Sequence, residues 1–112
     1  FGERRGKIRS AKSSVRMAEI ELADKREQMT LELAQARNTL REQLTALEIA
    51  QLSVEQATEN LRLSRSAYDS GMETLSDHLE AQSLWQSALA EEIDARTQLI
   101  VALGKWRKAA GK

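Results

Sequence analysis

Residues 67–82, AYDSGMETLSDHLEAQ, interrupt an otherwise regular helical pattern. Glycine readily adopts the left-handed backbone conformation that ends helices, so Gly71 predicts a helix stop. Thr74 predicts a new helix start as an N-cap residue, with Asp77 three positions later as the acidic member of a capping box. The stretch therefore predicts a tight turn between two helices.

The turn divides the chain into helices of unequal length. We expect helices over about residues 4–69 and about residues 75–110, joined by a turn at about residues 70–74. At a rise of 1.5 Å per residue, these helices would be about 100 Å and about 54 Å long. Because the turn is short, the helices should be antiparallel, and the first thirty or so residues should lack a partner within the chain. The predicted fold is all-α, a long antiparallel helical hairpin or coiled coil.

Large apolar residues recur at seven-residue spacing along the first predicted helix, which is the pattern of a coiled-coil seam. They are Ile8, Val15, Leu22 and Met29 and, after a step of four to Leu33, also Leu40, Leu47, Val54, Leu61 and Tyr68. A second row with the same spacing consists mostly of small residues, namely Ala36, Gln43, Ala50, Ala57 and Ser64. Alternation of large and small residues along one face allows helices to approach closely.

The second predicted helix has a row of alanines at the same seven-residue spacing, which we interpret as helix-packing positions. The row consists of Ala81, Ala88, Ala95, Ala102 and Ala109. Trp85, Leu99 and Trp106 share a neighbouring row, with Glu92 as its exception. Gly104 and Gly111 suggest fraying or a bend beyond about residue 103. Further apolar residues lie off these rows on both helices, so each helix should have more than one neighbour.

The composition agrees with long helices and excludes several functions. The 112 residues are 30% charged and 4% aromatic, with no proline and no cysteine. Absence of cysteine excludes a disulfide scaffold and a thiolate metal site, and no apolar run is long enough for a membrane-spanning helix. The chain begins at Phe1 without methionine, so we expect it to be a fragment of a larger protein. On its own it should form a soluble hairpin that self-associates through its uncovered apolar seams.

We expect no enzyme activity and no cofactor. The chain has one histidine, His78, and no glycine-rich phosphate loop. The neighbouring carboxylates of Asp77 and Glu80 are poorly placed to share one helix face with the imidazole, so a solvated or packed histidine is expected rather than a metal ligand.

The charge is uneven along the chain. Residues 1–16 carry six basic residues against one acid, a net charge of +5, and residues 17–100 carry 16 acids against 7 bases, a net charge of −9. A basic start followed by heptads also occurs in zipper proteins that bind DNA. However, this start lacks the asparagine and paired alanines that read bases, and Gly6 interrupts it, so we expect no nucleic-acid binding.

Four acids surround the predicted turn: Asp69, Glu73, Asp77 and Glu80. One interpretation is that acids are favoured at a helix N-terminus by capping and by the helix dipole, which explains Asp77 well. In the other, several hairpins surround an axis and their acids form stacked rings that favour cations over anions. The sequence leaves both interpretations open.

The turn carries a composite motif formed by Tyr68, Gly71, Asp77, Leu79, Ala81 and Gln82. This motif resembles the pattern Y-x-x-G-x-x-x-x-x-D-x-L-x-A-Q of TolC-type outer membrane efflux proteins, where it marks the turn between a very long periplasmic helix and a shorter one. The start, Phe1 to Arg5, is similar to the end of a barrel strand and its linker in that family. The alanine rows and the ending, Ala102 to Lys112, look like the second structural repeat of the family. The resemblance therefore covers almost the whole chain.

The resemblance implies a homotrimeric channel in the outer membrane of a Gram-negative bacterium, with this segment in the periplasm. Such a channel exports solutes together with an inner-membrane pump and a periplasmic adaptor protein, which meets the helical turns.

The same resemblance implies roles for residues of the turn. Asp77 and Glu80 match an acidic pair that rings the tunnel entrance. Tyr68 matches a tyrosine that helps to latch the closed entrance, next to the turn at Gly71. Glu73 stands where some members carry a latching arginine, so the latch would need a different partner here. The alternative is a structural coiled-coil hairpin of a periplasmic adaptor or a scaffold.

Overall fold

The computed structural model describes residues 2–111 and contains two α-helices and no strand within them. Helix α1 comprises Gly2–Asp69 (68 residues), and helix α2 comprises Leu75–Ala109 (35 residues). The predicted fold, an all-α hairpin of two unequal helices, is confirmed. Phe1 and Lys112 lie outside the described residues, and so do the parts of the family resemblance that involve them.

The chain divides into two units, residues 1–35 and residues 36–112. In the first unit, every residue from 2 to 35 is helical and exposed. Its large apolar residues are no exception, since Val15 is 58% and Met29 62% exposed. The interpretation of residues 1–112 as a single hairpin domain that belongs to a larger protein stays a prediction.

The second unit is an antiparallel hairpin with one continuous seam. On α1, the buried or half-buried residues include every member of both predicted rows from Ala36 to Ser64. On α2, Ala81, Ala88, Ala95 and Ala102 are buried, with at most 8% exposure. Because alanine has the smallest side chain that still favours a helix, such a row permits close approach of the two backbones.

The row beside these alanines also faces the seam. Trp85, Leu99 and Trp106 are half-buried. The one charged member, Glu92, has a side chain only 19% exposed and accepts a hydrogen bond from Arg96 one turn later, at 3.0 Å. Arg96 itself is mostly exposed, so the pair brings a partly covered carboxylate into contact with a guanidinium at the edge of the seam.

The end of α1 is a glycine-capped helix stop. Gly71 has φ of 76°, and the Met72 N–H donates to the Ala67 carbonyl at 2.8 Å while the Gly71 N–H donates to the Tyr68 carbonyl at 3.1 Å. This pair of bonds defines the Schellman motif, which satisfies carbonyls that the helix end leaves without partners. The hydroxyl of Ser70 adds a bond to the Ser66 carbonyl at 2.8 Å.

The start of α2 is capped by Thr74. Its backbone is extended, with φ of −81° and ψ of 160°, and its hydroxyl oxygen accepts from the Asp77 N–H at 3.2 Å. The cap replaces one of the hydrogen bonds that the first turn of a helix lacks. At the other end, α2 runs through Gly104 to Ala109, so the helix ends close to the expected residue 110. Gly111, two residues after the end of α2, has a positive φ of 75°.

Candidate functional site at the helical turn

Two hydrogen bonds between side chains of α1 and α2 fix the register of the hairpin. The Trp85 Nε1–H donates to the Thr58 hydroxyl at 3.2 Å. Nearer the turn, the Ser64 hydroxyl and His78 Nδ1 are 3.2 Å apart. A step of seven residues along α2 thus corresponds to a step of six back along α1, so the two helices are antiparallel here.

A cluster of four side chains, Ser64, Tyr68, His78 and Gln82, links the two helices next to the turn; we refer to it as the tip cluster. His78 is 8% and Ser64 6% exposed. The rings of Tyr68 and His78 are stacked, with centroids 5.4 Å apart and an angle of 4° between their planes. The Gln82 amide nitrogen lies 3.4 Å from His78 Nε2. The cluster therefore joins the first two turns of α2 to the last two turns of α1.

The hydrogen bonds of the tip cluster give each ring nitrogen of His78 one partner. The Gln82 amide nitrogen can only donate, so in this orientation of the amide His78 Nε2 is an acceptor. In the tautomer that matches this orientation, Nδ1 carries the proton and donates to the Ser64 hydroxyl oxygen. The imidazole is packed between the helices, which was one of the two arrangements expected from the sequence. Among residues 2–111, no group of three or more His, Asp or Glu side chains is arranged to hold a metal ion.

The acids of the turn differ in their surroundings. Asp69, Asp77 and Glu80 are exposed. Glu73 is half-buried, and its Oε2 atom is covered without a hydrogen-bond partner among the described residues. Asp77 and Glu80, three residues apart, project from the same face of the first turns of α2.

An open groove of about 350 Å³ lies beside the tip cluster. It is lined by Leu61, Arg65, Tyr68, Asp69, His78 and Gln82. Tyr68 is 39% exposed, so one part of its side chain contacts His78 while another part remains open to solvent. The turn also exposes apolar side chains, with Met72 84%, Leu75 52% and Leu79 52% exposed.

Sequence reasoning singled out Tyr68, Gly71, Glu73, Asp77 and Glu80 at the turn. The structure brings Tyr68 against His78, a contact that the sequence analysis did not predict. A signal for it was present. His78 lies seven residues before Trp85, in the row that faces the seam, and Ser64 ends the small-residue row of α1.

One ion pair, between Arg62 and Glu59, lies on the exposed surface of α1. The Arg62 guanidinium binds the Glu59 carboxylate at 2.7 Å, and this hydrogen bond holds the pKa of Glu59 below its ordinary value of 4.5. Both side chains are more than half exposed, so the pair is a surface feature of α1.

Comparison with known families assigns the chain to one of them. It matches the family model of outer membrane efflux proteins over residues 1–112, and it therefore belongs to that family. The family is one of transport proteins, and the resemblance found in the turn motif is confirmed. No curated protein and no solved structure shows a significant match to the chain. Neither helix, over the residues described, combines the length and the hydropathy that crossing a membrane requires.

Proposed function

We propose that the chain forms part of the wall and the entrance of a tunnel through which an outer membrane efflux channel exports solutes. The observation that carries this proposal is the family match over the whole chain, together with a tight turn between long helices. Helices with alanine rows on one side and exposed apolar residues on others are suited to a wall, because each helix can contact several neighbours.

The acids at the turn support its role as an entrance. Asp77 and Glu80 are exposed, and neither belongs to the ion pairs found among residues 2–111. Several hairpins around one axis would repeat these two carboxylates in rings. Rings of carboxylates at a constriction attract cations and repel anions. The dipole at the N-terminus of α2 also favours the two acids. The same residues would therefore stabilise the helix and make the entrance prefer cations.

We infer the partners from what is typical of the family. The full-length protein would be a homotrimer in the outer membrane of a Gram-negative bacterium, with this segment in the periplasm. A periplasmic adaptor would dock at the turn, where Met72, Leu75 and Leu79 offer exposed apolar surface, and an inner-membrane pump would supply the exported solute. Tyr68, Gly71 and Glu73 would form the latch of the closed entrance. The covered Oε2 of Glu73 has an unused acceptor site that a donor from a neighbouring hairpin could occupy.

The test is a measurement of ion selectivity on the full-length protein in planar bilayers. In the double variant Asp77→Asn/Glu80→Gln, we expect the preference for cations over anions to fall towards parity, because each hairpin loses two negative charges at the entrance. The matched control is Glu91→Gln, which removes an exposed acid of α2 well away from the turn and should leave selectivity unchanged.

Two results would contradict the proposal. If the full-length protein forms no conducting channel, the structural alternative, an adaptor or scaffold hairpin, becomes the better interpretation. If it conducts but the double variant and the control have the same selectivity as the original protein, the acidic rings do not line the entrance.

A further inference from the structure

His78 occupies an unusual place for a polar side chain in this molecule. Among residues 2–111, the buried polar side chains are Ser64 and His78, and they contact each other. All the other buried residues are alanines. A polar ring in an alanine seam loses its hydration, so it is tolerated only where its nitrogen atoms find partners. Both nitrogens of His78 have one, in Ser64 and Gln82.

The contacts of His78 fix the imidazole in two directions. The two hydrogen bonds hold the ring nitrogens, while Tyr68 stacks on the ring in a nearly parallel arrangement. Stacked rings at a centroid distance of 5.4 Å are within the range of favourable aromatic pairs. Since the imidazole is fixed by the two helices, it offers Tyr68 a rigid flat surface.

We propose that His78 is a positioning residue that holds the Tyr68 side chain at the tunnel entrance. The inference rests on the proposed function in so far as Tyr68 acts there as a latch; the contact itself does not depend on it. His78 belongs to the first turn of α2 and Tyr68 to the last turn of α1, so the stack connects the two sides of the turn directly. A latch tyrosine needs a defined direction, and Tyr68 is too exposed to be fixed by burial alone.

The stack positions Tyr68 by shape rather than by charge. Arg65 and Asp69 line the same groove and carry opposite charges, but the hydrogen bonds of the imidazole go to the neutral groups of Ser64 and Gln82. A flat, uncharged aromatic ring should therefore replace His78 in this role, whereas an aliphatic side chain of similar volume should not.

The first experiment tests the contact in the 112-residue chain. The chain has one tyrosine and one histidine, so their ring protons can be identified in nuclear magnetic resonance spectra by residue type. We expect nuclear Overhauser effects between the two rings in the original chain. Absence of these effects in the original chain would overturn the proposal, whatever the protein transports.

The second experiment tests the role in the full-length channel. His78→Leu should raise the fraction of time that the channel spends open by about two- to ten-fold, which corresponds to the loss of one aromatic stack. His78→Phe retains a ring and should restore the closed state. The matched control is Trp85→Phe, which removes the other hydrogen bond between the helices, one heptad further from the turn, and should leave the open fraction unchanged.

The outcomes separate the two proposals. If His78→Leu closes as well as the original channel, or if Trp85→Phe opens it equally, then general stability of the seam and not the stack determines closure, and the positioning role is wrong. If no channel forms at all, the proposed function fails, and the ring-to-ring contact measured in the chain still decides whether His78 holds Tyr68.

Discussion

Residues 2–35 and residues 36–111 have the same seven-residue spacing of apolar side chains. These side chains are exposed in the first region and mostly buried or half-buried in the second. Val15 in the first region is 58% exposed, whereas Val54 in the second is half-buried. Ala18 is exposed, whereas Ala88 is buried. The comparison shows that a heptad pattern specifies a surface suited to another helix without specifying which helix covers it. For residues 36–68 the turn at Gly71 brings α2 to that surface.

The difference has a consequence for stability. In the second region, helix formation is supported by burial of apolar surface along the seam. In the first region, what supports the helix within the described residues is local, such as the bond from the Gln28 amide to Glu32 at 3.4 Å and intrinsic helix propensity. In proteins most of the stability of a helix comes from packing of its apolar face rather than from local propensity. Substitutions on matched positions should therefore have different effects in the two regions.

The largest difference is expected from Ala→Leu substitutions. Ala88→Leu inserts three carbon atoms into the closely packed seam and should destabilise the hairpin by about 1–3 kcal/mol. Ala18→Leu makes the same change on an exposed face and should be close to neutral, because leucine and alanine are both good helix formers. Thermal or urea denaturation followed by circular dichroism measures both effects.

The comparison between the regions fails if Ala88→Leu melts at the same temperature as the original chain, because the alanine row would then not define the distance between the helices. It also fails if Ala18→Leu is as harmful as Ala88→Leu, since an exposed position cannot be overpacked within the chain.

A smaller effect is expected at the glycines. Gly71→Ala places a side chain on a residue with φ of 76°, a strain of about 1–2 kcal/mol that the lower entropy of the unfolded chain partly offsets. A Cβ atom at Gly71 meets nothing within 4 Å, so the strain comes from the backbone alone. Gly6→Ala and Gly104→Ala are matched controls, one in each region. Both lie inside helices with open space around them and should each stabilise by about 0.5–1 kcal/mol.

These glycine variants test the backbone separately from the packing of the seam, because none of them changes a seam side chain. Gly6→Ala and Gly104→Ala should behave alike in spite of the different surroundings of the two regions. If Gly71→Ala proved as stabilising as the two controls, the glycine cap would not be the feature that ends α1.

Much of the second region follows from the sequence because its signals are local. Gly71 ends α1 and Thr74 begins α2, since each residue satisfies groups of its own helix terminus. The helix also continues through Gly104 to Ala109, close to its expected end at about residue 110. A glycine weakens a helix by only about 1 kcal/mol, and the packing of Ala102, Trp106 and Ala109 in the seam outweighs that loss.

The contacts within the tip cluster could not be predicted from such local signals. The stack of His78 on Tyr68 depends on the register of α2 against α1, and this register is defined only when the two helices pack across the turn. The rows that contain Ser64 and His78 could be found by spacing, but whether a polar member of such a row faces the seam or the solvent depends on its partners. The positions of Asp77 and Glu80 relative to a tunnel axis depend on neighbouring hairpins and stay a prediction.

The smallest expected effect concerns the surface charges, which also differ between the regions. The ion pairs found among residues 2–111 lie in the second region, whereas Arg16 in the first belongs to neither of them. The Arg62 hydrogen bond lowers the pKa of Glu59 from its ordinary value of 4.5, so the pair adds stability above that pH, and the stability is lost as the pH falls through the lowered pKa. Arg62→Gln should therefore lose less stability than the original chain when the pH is lowered from neutral to below 4.5.

The matched control for this prediction is Arg16→Gln, which removes a basic residue that has no carboxylate partner within the described residues. Its stability should depend on pH in the same way as that of the original chain. Denaturation curves of the three proteins across this pH range make the comparison, and the other carboxylates contribute equally to all of them. Parallel curves for Arg62→Gln and Arg16→Gln would mean that the pair is fully screened by solvent, in which case the two regions differ in the burial of their seams and not in their surface charges.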